Sequence, residues 1–305
     1  MGVRGGAAVI ARWWFAPAPA ERLAALRIAI GAYATIYVVA RFGELIASAQ
    51  LPRGSFEPVG LARILAAPLP PWLAIAIAGA CVVLMIAFTL GVAYRVVSPL
   101  AALALLWTLT YRNAWGQVFH TDNLVVLHVL ALACAPAADA WTLGRPRTGD
   151  PRDYGWAIKL LVALTAATYV IAGLAKLRLA GMSWLDGEQL RNQIAVDNAR
   201  KLLFGAAPSR IAVPLLGHPS WFTAFSIATL VIELGAPLVF VHRRIAHVWA
   251  ITAWAFHLGV LALMNIVFPY PLLGFAFLPL LEPERIARRV AARLGRGMRR
   301  TRPAV

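Results

Sequence analysis

The sequence predicts an all-α fold, a polytopic bundle of about eight transmembrane helices with both ends in the cytoplasm. Three observations carry this reading. Apolar residues make up 61% of the 305 and charged residues only 14%, against roughly 45–50% and about 25% in ordinary globular chains. The apolar residues gather into runs long enough to face lipid. The basic residues sit mainly between those runs and at the C-terminal end, as expected where cytoplasmic loops retain Lys and Arg.

The runs lie at 22–41, 70–90, 95–111, 122–137, 156–177, 220–241, 245–264 and 266–282. The third, fourth and eighth are short for a hydrocarbon core of about 30 Å, which takes roughly 20 helical residues, so one of them could be re-entrant. Arg27 interrupts the first run, and no small-residue cleavage site follows a short apolar core, so it is not read as a signal peptide. The chain then divides into a cytoplasmic N-terminal segment (1–21), a transmembrane domain (22–282) and a basic cytoplasmic tail (283–305). With the N-terminus inside, seventeen Lys and Arg fall on the inner side and nine on the outer. Short inner loops such as His242-Arg243-Arg244 weigh most in that count. Two outer connections are long. The first, 42–69, holds Pro52, Pro58 and Pro68 and is expected to be mostly irregular. The second, 178–219, carries Trp184, Asp186, Glu188 and Asp197 and could form an interfacial helix. The tail reads as a basic amphipathic helix attracted to anionic lipid.

The 29 Lys and Arg against 13 Asp and Glu could mean nucleic-acid binding, but their placement between apolar runs argues for membrane topology instead. Cys81 and Cys134 both lie in apolar runs and are too few for a disulfide framework or a zinc site. No metal is expected. His-Glu-x-x-His, Gly-x-Ser-x-Gly and Walker-type runs do not occur.

Ionisable residues in or just beside the runs call for explanation, because a charge in the bilayer core costs at least a few kcal/mol. They are Arg27, His120, His128, Lys159, Lys176, Glu233 and His257. Lys159 lies one turn from the cytoplasmic boundary and can snorkel. Lys176, at the outer end of the fifth run, has two readings: a lysine reaching the outer headgroups, or a partly desolvated amine able to serve as a general base. Gly173, just before it, allows close helix approach. His120, Lys176 and His257 fall in one depth band on three helices. His128, deeper on the face of His120, is expected to be a core hydrogen-bonding residue. Buried charges need partners, and Arg27 with Glu233 is the expected structural pair; a histidine is the alternative partner for Glu233.

Around these residues the chain resembles the HTTM domain proteins, bacterial membrane relatives of the vitamin K-dependent gamma-glutamyl carboxylase. The most specific stretch is Tyr169-Val170-Ile171-Ala172-Gly173-Leu174-Ala175-Lys176-Leu177, followed by Trp184-Leu185-Asp186-Gly187. Shorter matches are Arg27-Ile28 with Gly31, Asn123 after His120, Asp139-Ala140-Trp141-Thr142-Leu143, Glu233-Leu234, and His257 with Met264-Asn265 and Phe268-Pro269-Tyr270. The resemblance implies chemistry on a reduced quinone (vitamin K hydroquinone or a menaquinol-like molecule) at the outer side of a bacterial plasma membrane. It implies Lys176 as base with His120 and His257 as catalytic companions, and Trp115, Asn123, Tyr169, Gly173 and Asn265 around the cofactor. Arg27, Glu233, Trp184 and Asp186 would then be structural or substrate-side. In the carboxylase, oxygenation to the epoxide generates a base that removes a glutamate γ-proton, so that carbon dioxide can add. That enzyme has two adjacent lysines where this chain has Ala175-Lys176, and a large extramembrane region where this chain has its basic tail. The resemblance therefore points to a secreted peptide substrate presented with a soluble partner protein. Two other functions stand beside this one: a non-catalytic membrane factor for maturing or exporting a secreted peptide, and a small-molecule transporter. The absence of repeat symmetry weighs against the transporter.

Overall fold

The computed structural model describes residues 3–116, 121–289 and 292. Among these the regular structure is helical throughout. The helices are α1 (Val3–Trp14), α2 (Ala20–Ala40), α3 (Phe42–Ser48), α4 (Pro71–Leu90), α5 (Tyr94–Arg112), α6 (Thr121–Ala133), α7 (Arg152–Ala180), α8 (Glu188–Leu203), α9 (Ala212–Leu215), α10 (Pro219–Leu234), α11 (Arg243–Met264) and α12 (Pro269–Leu272). Among the described residues, four helices are long and apolar enough to cross a membrane: α2, α4, the helix that starts at Arg152, and α11. The apolar helices over 122–133 and in α10 are shorter.

Local chemistry sets these boundaries. Proline occupies the first helical position of α4 and α10, where its missing N–H goes unused. The side chain of His242 accepts from the Arg244 backbone N–H at 3.1 Å and starts α11. Asn265, left-handed at φ 46°, ends it.

The eighth apolar run is not one continuous helix. Pro269, Pro271, Gly274 and Pro279 break residues 266–282 into the short α12 and a 3-10 turn, Phe275–Leu280. The segment 42–69, expected on the outer side, is less irregular than expected, since α3 and two 3-10 turns, Arg53–Ser55 and Gly60–Ile64, interrupt it. The helix foreseen in 178–219 is α8. In the tail, 283–289 is helical, and most of the remainder lies outside the described residues.

The chain forms two compact units, 1–161 with 282–305, and 162–281. In the first, α2, α4, α5 and α6 close a ring in which α2 packs on α4, α4 on α5, α5 on α6 and α6 on α2. Its core takes Leu23, Leu26 and Ile30 from α2, Met85 and Phe88 from α4, and Leu105 from α5. The helix α4 buries only Ala78, Cys81, Met85 and Phe88, one stripe at three- and four-residue spacing. Its remaining faces expose Trp72, Val83, Ile86 and Leu90. An apolar helix with an apolar outer surface needs lipid to cover it.

In the second unit, α10 packs against α8 and the turn Gly181–Asp186, while α11 packs against α8, α10 and the turn Ala236–Phe240. Tyr169, Trp249 and Phe277 form its aromatic centre, packed with Ala253, with the Tyr169 and Trp249 rings edge-to-face at 4.9 Å.

Candidate functional site

Tyr169, Gly173 and Lys176 stand at i, i+4 and i+7 of α7 and so share one helix face. Gly173 is buried, and a Cβ there would lie 2.9 Å from Leu234 Cδ2 and 3.1 Å from Glu233 Cβ. Its lack of a side chain is what lets α10 come so near. One turn further on, Lys176 Nζ donates to Glu233 Oε1 at 2.5 Å. The two ends of this pair differ: the Lys176 side chain is 23% exposed and that of Glu233 only 3%. The second carboxylate oxygen, Glu233 Oε2, is buried and meets no hydrogen-bond partner among the described residues.

The floor beneath the amine is the indole of Trp184, whose ring centroid lies 5.5 Å from Nζ. Trp184 is buried and donates from Nε1 to Ser226 O at 3.3 Å. Gly187, at φ 87°, fits against the backbone of Phe222 and Thr223, where a Cβ would come within 2.4 Å of Phe222 C. Asp186 is exposed and structural in geometry: its Oδ1 accepts from the Glu188 N–H at 2.9 Å, opening α8, and its carbonyl accepts from Thr223 Oγ1 at 2.6 Å. The Trp-Leu-Asp-Gly motif thus docks the start of α8 onto α10. That places Gln189 and Gln193, one turn apart, on a cavity of about 310 Å³ shared with Lys176, Trp184, Ala172 and Leu179. An ammonium, two amides and an indole then converge on an apolar-walled space at the lower end of the size range of ligand pockets.

His257 does not line this cavity. Its Nε2 pairs with the Tyr169 hydroxyl at 2.7 Å, and Phe268 packs edge-on at 5.4 Å. Its Nδ1 is buried without a hydrogen-bond partner among the described residues. Tyr169 precedes Lys176 by two turns, roughly 10 Å along α7, so His257 and Lys176 are separate stations on one helix face. His120 lies outside the described residues.

The other expected residues take structural positions. Asn265 ends α11 and donates from Nδ2 to Ala207 O at 3.3 Å. Trp115, in the first unit, packs against Phe56 and Tyr111 at 5.2 and 6.0 Å. Asn123 is an exposed residue of α6. His128 is buried with Nε2 3.1 Å from Leu161 O, and Lys159 Nζ donates to Trp14 O at 3.3 Å. The expected Arg27–Glu233 pair is corrected: each residue has partners of its own. Arg27, fully buried, donates to Ala137 O at 3.0 Å and Trp141 O at 2.5 Å, carbonyls in the segment following α6. Glu233 has Lys176.

Sequence reasoning missed a network in the first unit built on the buried Arg112 and Asp122 and reaching the exposed Glu44. Arg112 Nη1 donates to Asp122 Oδ2 at 3.0 Å and Nη2 to Glu44 Oε2 at 3.2 Å, while the Tyr37 hydroxyl donates to Asp122 Oδ1 at 2.6 Å. Arg112 lies just past the run 95–111 and falls among the outer basic residues, while Asp122 opens the run 122–137; two opposite charges ten residues apart in sequence were the available signal.

Long apolar helices with apolar outer faces, and an ion pair buried between two of the helices, define a class: an α-helical membrane protein. Its family is equally definite. The chain matches the HTTM domain over residues 15–283 and belongs to the HTTM family. Comparison with curated proteins and with solved structures gives no match.

Proposed function

We propose that this HTTM protein is a multi-pass enzyme of the cell membrane, and that it acts on a reduced quinone at the outer side in the manner of the vitamin K-dependent carboxylase. The observation that carries the reading is the Lys176–Glu233 pair at the wall of the 310 Å³ cavity. The donor set fits a quinol head group. Ala172, Leu179 and Trp184 offer apolar and aromatic surface to a flat ring, and Gln189 and Gln193 offer amides to its oxygens. When bound, a reduced quinone would supply two reducing electrons and, with dioxygen, an oxygenated product that generates a strong base.

The chain's own part is proton handling and positioning. Lys176 Nζ, the cavity-side end of the pair, takes the proton of the bound hydroxyl. Glu233 Oε1, 2.5 Å behind it, receives a proton from Nζ and leaves the amine free to act. Trp184 fixes the height of Nζ, and Gly173 keeps Glu233 within reach. Tyr169 and His257 form a second hydrogen-bonded station on the same helix face.

The test is consumption of a reduced naphthoquinone under dioxygen by the protein in liposomes. Lys176→Ala is expected to lower turnover about 100-fold or more, the usual contribution of a positioned acid–base group. Unchanged turnover in the variant sinks the base assignment, and no turnover by the wild type sinks the enzymatic reading.

A second reading, a non-catalytic maturation factor for a secreted peptide, draws on the apolar tip of α8, where Leu202, Leu203 and Phe204 are all exposed. It expects Lys176→Ala to leave peptide maturation intact and Leu203→Ser with Phe204→Ser to abolish it. Changes at Trp184 do not separate the readings, because Trp184 is buried under the amine.

A further inference from the structure

A cavity of about 790 Å³ opens in the first unit where α4 passes into α5. It takes no part in the proposed chemistry. Arg95, Arg145 and Arg147 stand on its wall, all three exposed. None of their guanidinium groups pairs with a carboxylate among the described residues. Asp139 and Asp153 also line the space; Asp139 Oδ2 already accepts from the Tyr154 hydroxyl at 3.0 Å. Even with both carboxylates counted, the wall keeps an excess of positive charge.

The loop that carries two of these arginines is pinned at both ends. Leu143 N donates to Leu90 O at 3.0 Å, and Thr142 Oγ1 donates to Gly91 O at 2.9 Å. Arg147 N donates to Asp139 O at 3.0 Å, and Gly149 N to the Tyr154 hydroxyl at 3.0 Å. The arginine backbones are therefore held in place before any ligand arrives, which lowers the cost of ordering them on binding.

The depth of the cavity follows from α4, a helix long and apolar enough to span a membrane that ends at Leu90. The space therefore sits at a membrane boundary. From its wall an apolar stripe runs along α5: Val96, Leu100 and Leu103, at i, i+4 and i+7, are all exposed. The stripe extends roughly 10 Å from the arginines toward the middle of the helix. A soluble phosphate would have no use for it. A phospholipid needs both parts, guanidinium groups for its phosphate and a greasy track for an acyl chain.

We propose that this cavity is a binding site for one anionic phospholipid, with its phosphate between Arg95, Arg145 and Arg147 and an acyl chain along Val96, Leu100 and Leu103. The site does not depend on the quinol reading, and its test needs no enzymatic activity.

The experiment is native mass spectrometry of the full chain in a neutral detergent, titrated with dioctanoyl phosphatidylglycerol. Dioctanoyl phosphatidylcholine and inorganic phosphate serve as competitors. The wild type should bind phosphatidylglycerol saturably, and neither competitor should displace it at equal concentration. R95Q/R145Q/R147Q should bind on the order of 100-fold more weakly, from about one surface-charge increment per arginine, while its thermal unfolding in phosphatidylcholine matches the wild type. Should the triple variant lose cooperative unfolding, R145Q alone replaces it with an expected loss of roughly fivefold. The basic tail is common to all these proteins and cancels in the comparison. Equal phosphatidylglycerol affinity in the variant overturns the site. So does equal binding of phosphatidylcholine, and displacement by inorganic phosphate at equal concentration would make it a soluble-anion site instead.

Discussion

Replacing Lys176 by Ala should destabilise the protein more than replacing Glu233 by Ala, and the double replacement should cost less than the two together. Lys176→Ala leaves the Glu233 carboxylate, 3% exposed and already with one oxygen unpartnered among the described residues, without the one cation it pairs with there. Stranding a buried charge in this way costs about 3–5 kcal/mol. Because the Lys176 side chain is 23% exposed and water can reach the gap, the lower end, about 3 kcal/mol, is expected. Glu233→Ala strands the ammonium instead, but that amine sits on a flexible stem beside an open cavity and can turn outward, so about 1–2 kcal/mol is expected. In the double variant no charge is stranded and mainly lost packing remains, so the coupling between the two sites should reach about 2 kcal/mol. The assay is equilibrium unfolding in mixed micelles followed by tryptophan fluorescence, with Glu233→Gln as a control that keeps the side-chain shape and one acceptor. Coupling below about 0.5 kcal/mol would mean additive sites, and the pair would then hold neither helix nor proton. A larger loss for Glu233→Ala than for Lys176→Ala would refute the assignment of Glu233 as the closed end.

Gly173→Ala puts a methyl 2.9 Å from Leu234 Cδ2 and 3.1 Å from Glu233 Cβ; the leucine can rotate and the glutamate Cβ cannot, so about 1–3 kcal/mol of destabilisation is expected in the same unfolding assay, together with weaker coupling in the Lys176–Glu233 cycle. Arg27→Lys should fail to rescue Arg27→Ala, because one guanidinium reaches both Ala137 O and Trp141 O and an ammonium lacks that fork; similar unfolding midpoints for Arg27→Lys and wild type would count against it.

The parts of the fold that were legible are those in which one uninterrupted apolar run makes one helix, as in α2, α4 and α11. Their hydrophobic length is a local property and needs no knowledge of neighbours. The run 266–282 misled for the opposite reason. Its composition is as apolar as the others, but Pro269, Pro271 and Pro279 remove donors and Gly274 turns at φ 82°, so backbone chemistry overrides hydropathy. Partner choice was less legible still. A buried arginine announces that it needs acceptors, yet the acceptors of Arg27 are backbone carbonyls, which every residue carries and no sequence pattern marks. Assigning it to Glu233 followed from charge alone. The closeness of Glu233 to Lys176 hung on Gly173, where the expectation of a close helix approach was available but not the identity of the helix that approaches.

The pairing also changes what Lys176 can be. A lysine reaching the headgroups would turn its amine outward and leave Glu233 to another partner; here the amine turns inward, onto a carboxylate. A pair that served only to hold two helices would gain from closing both ends to water, since an exposed end weakens the attraction. This one is closed at Glu233 and open at Lys176, and the open end borders a cavity built of an indole, two amides and small apolar side chains. The asymmetry gives the pair a direction. A molecule in the cavity meets Nζ first and the carboxylate only through it, and a proton delivered at Nζ has Oε1 2.5 Å away on a side chain that is only 3% exposed. Helix packing alone does not call for that direction, whereas the proposed proton transfer out of the cavity would use it.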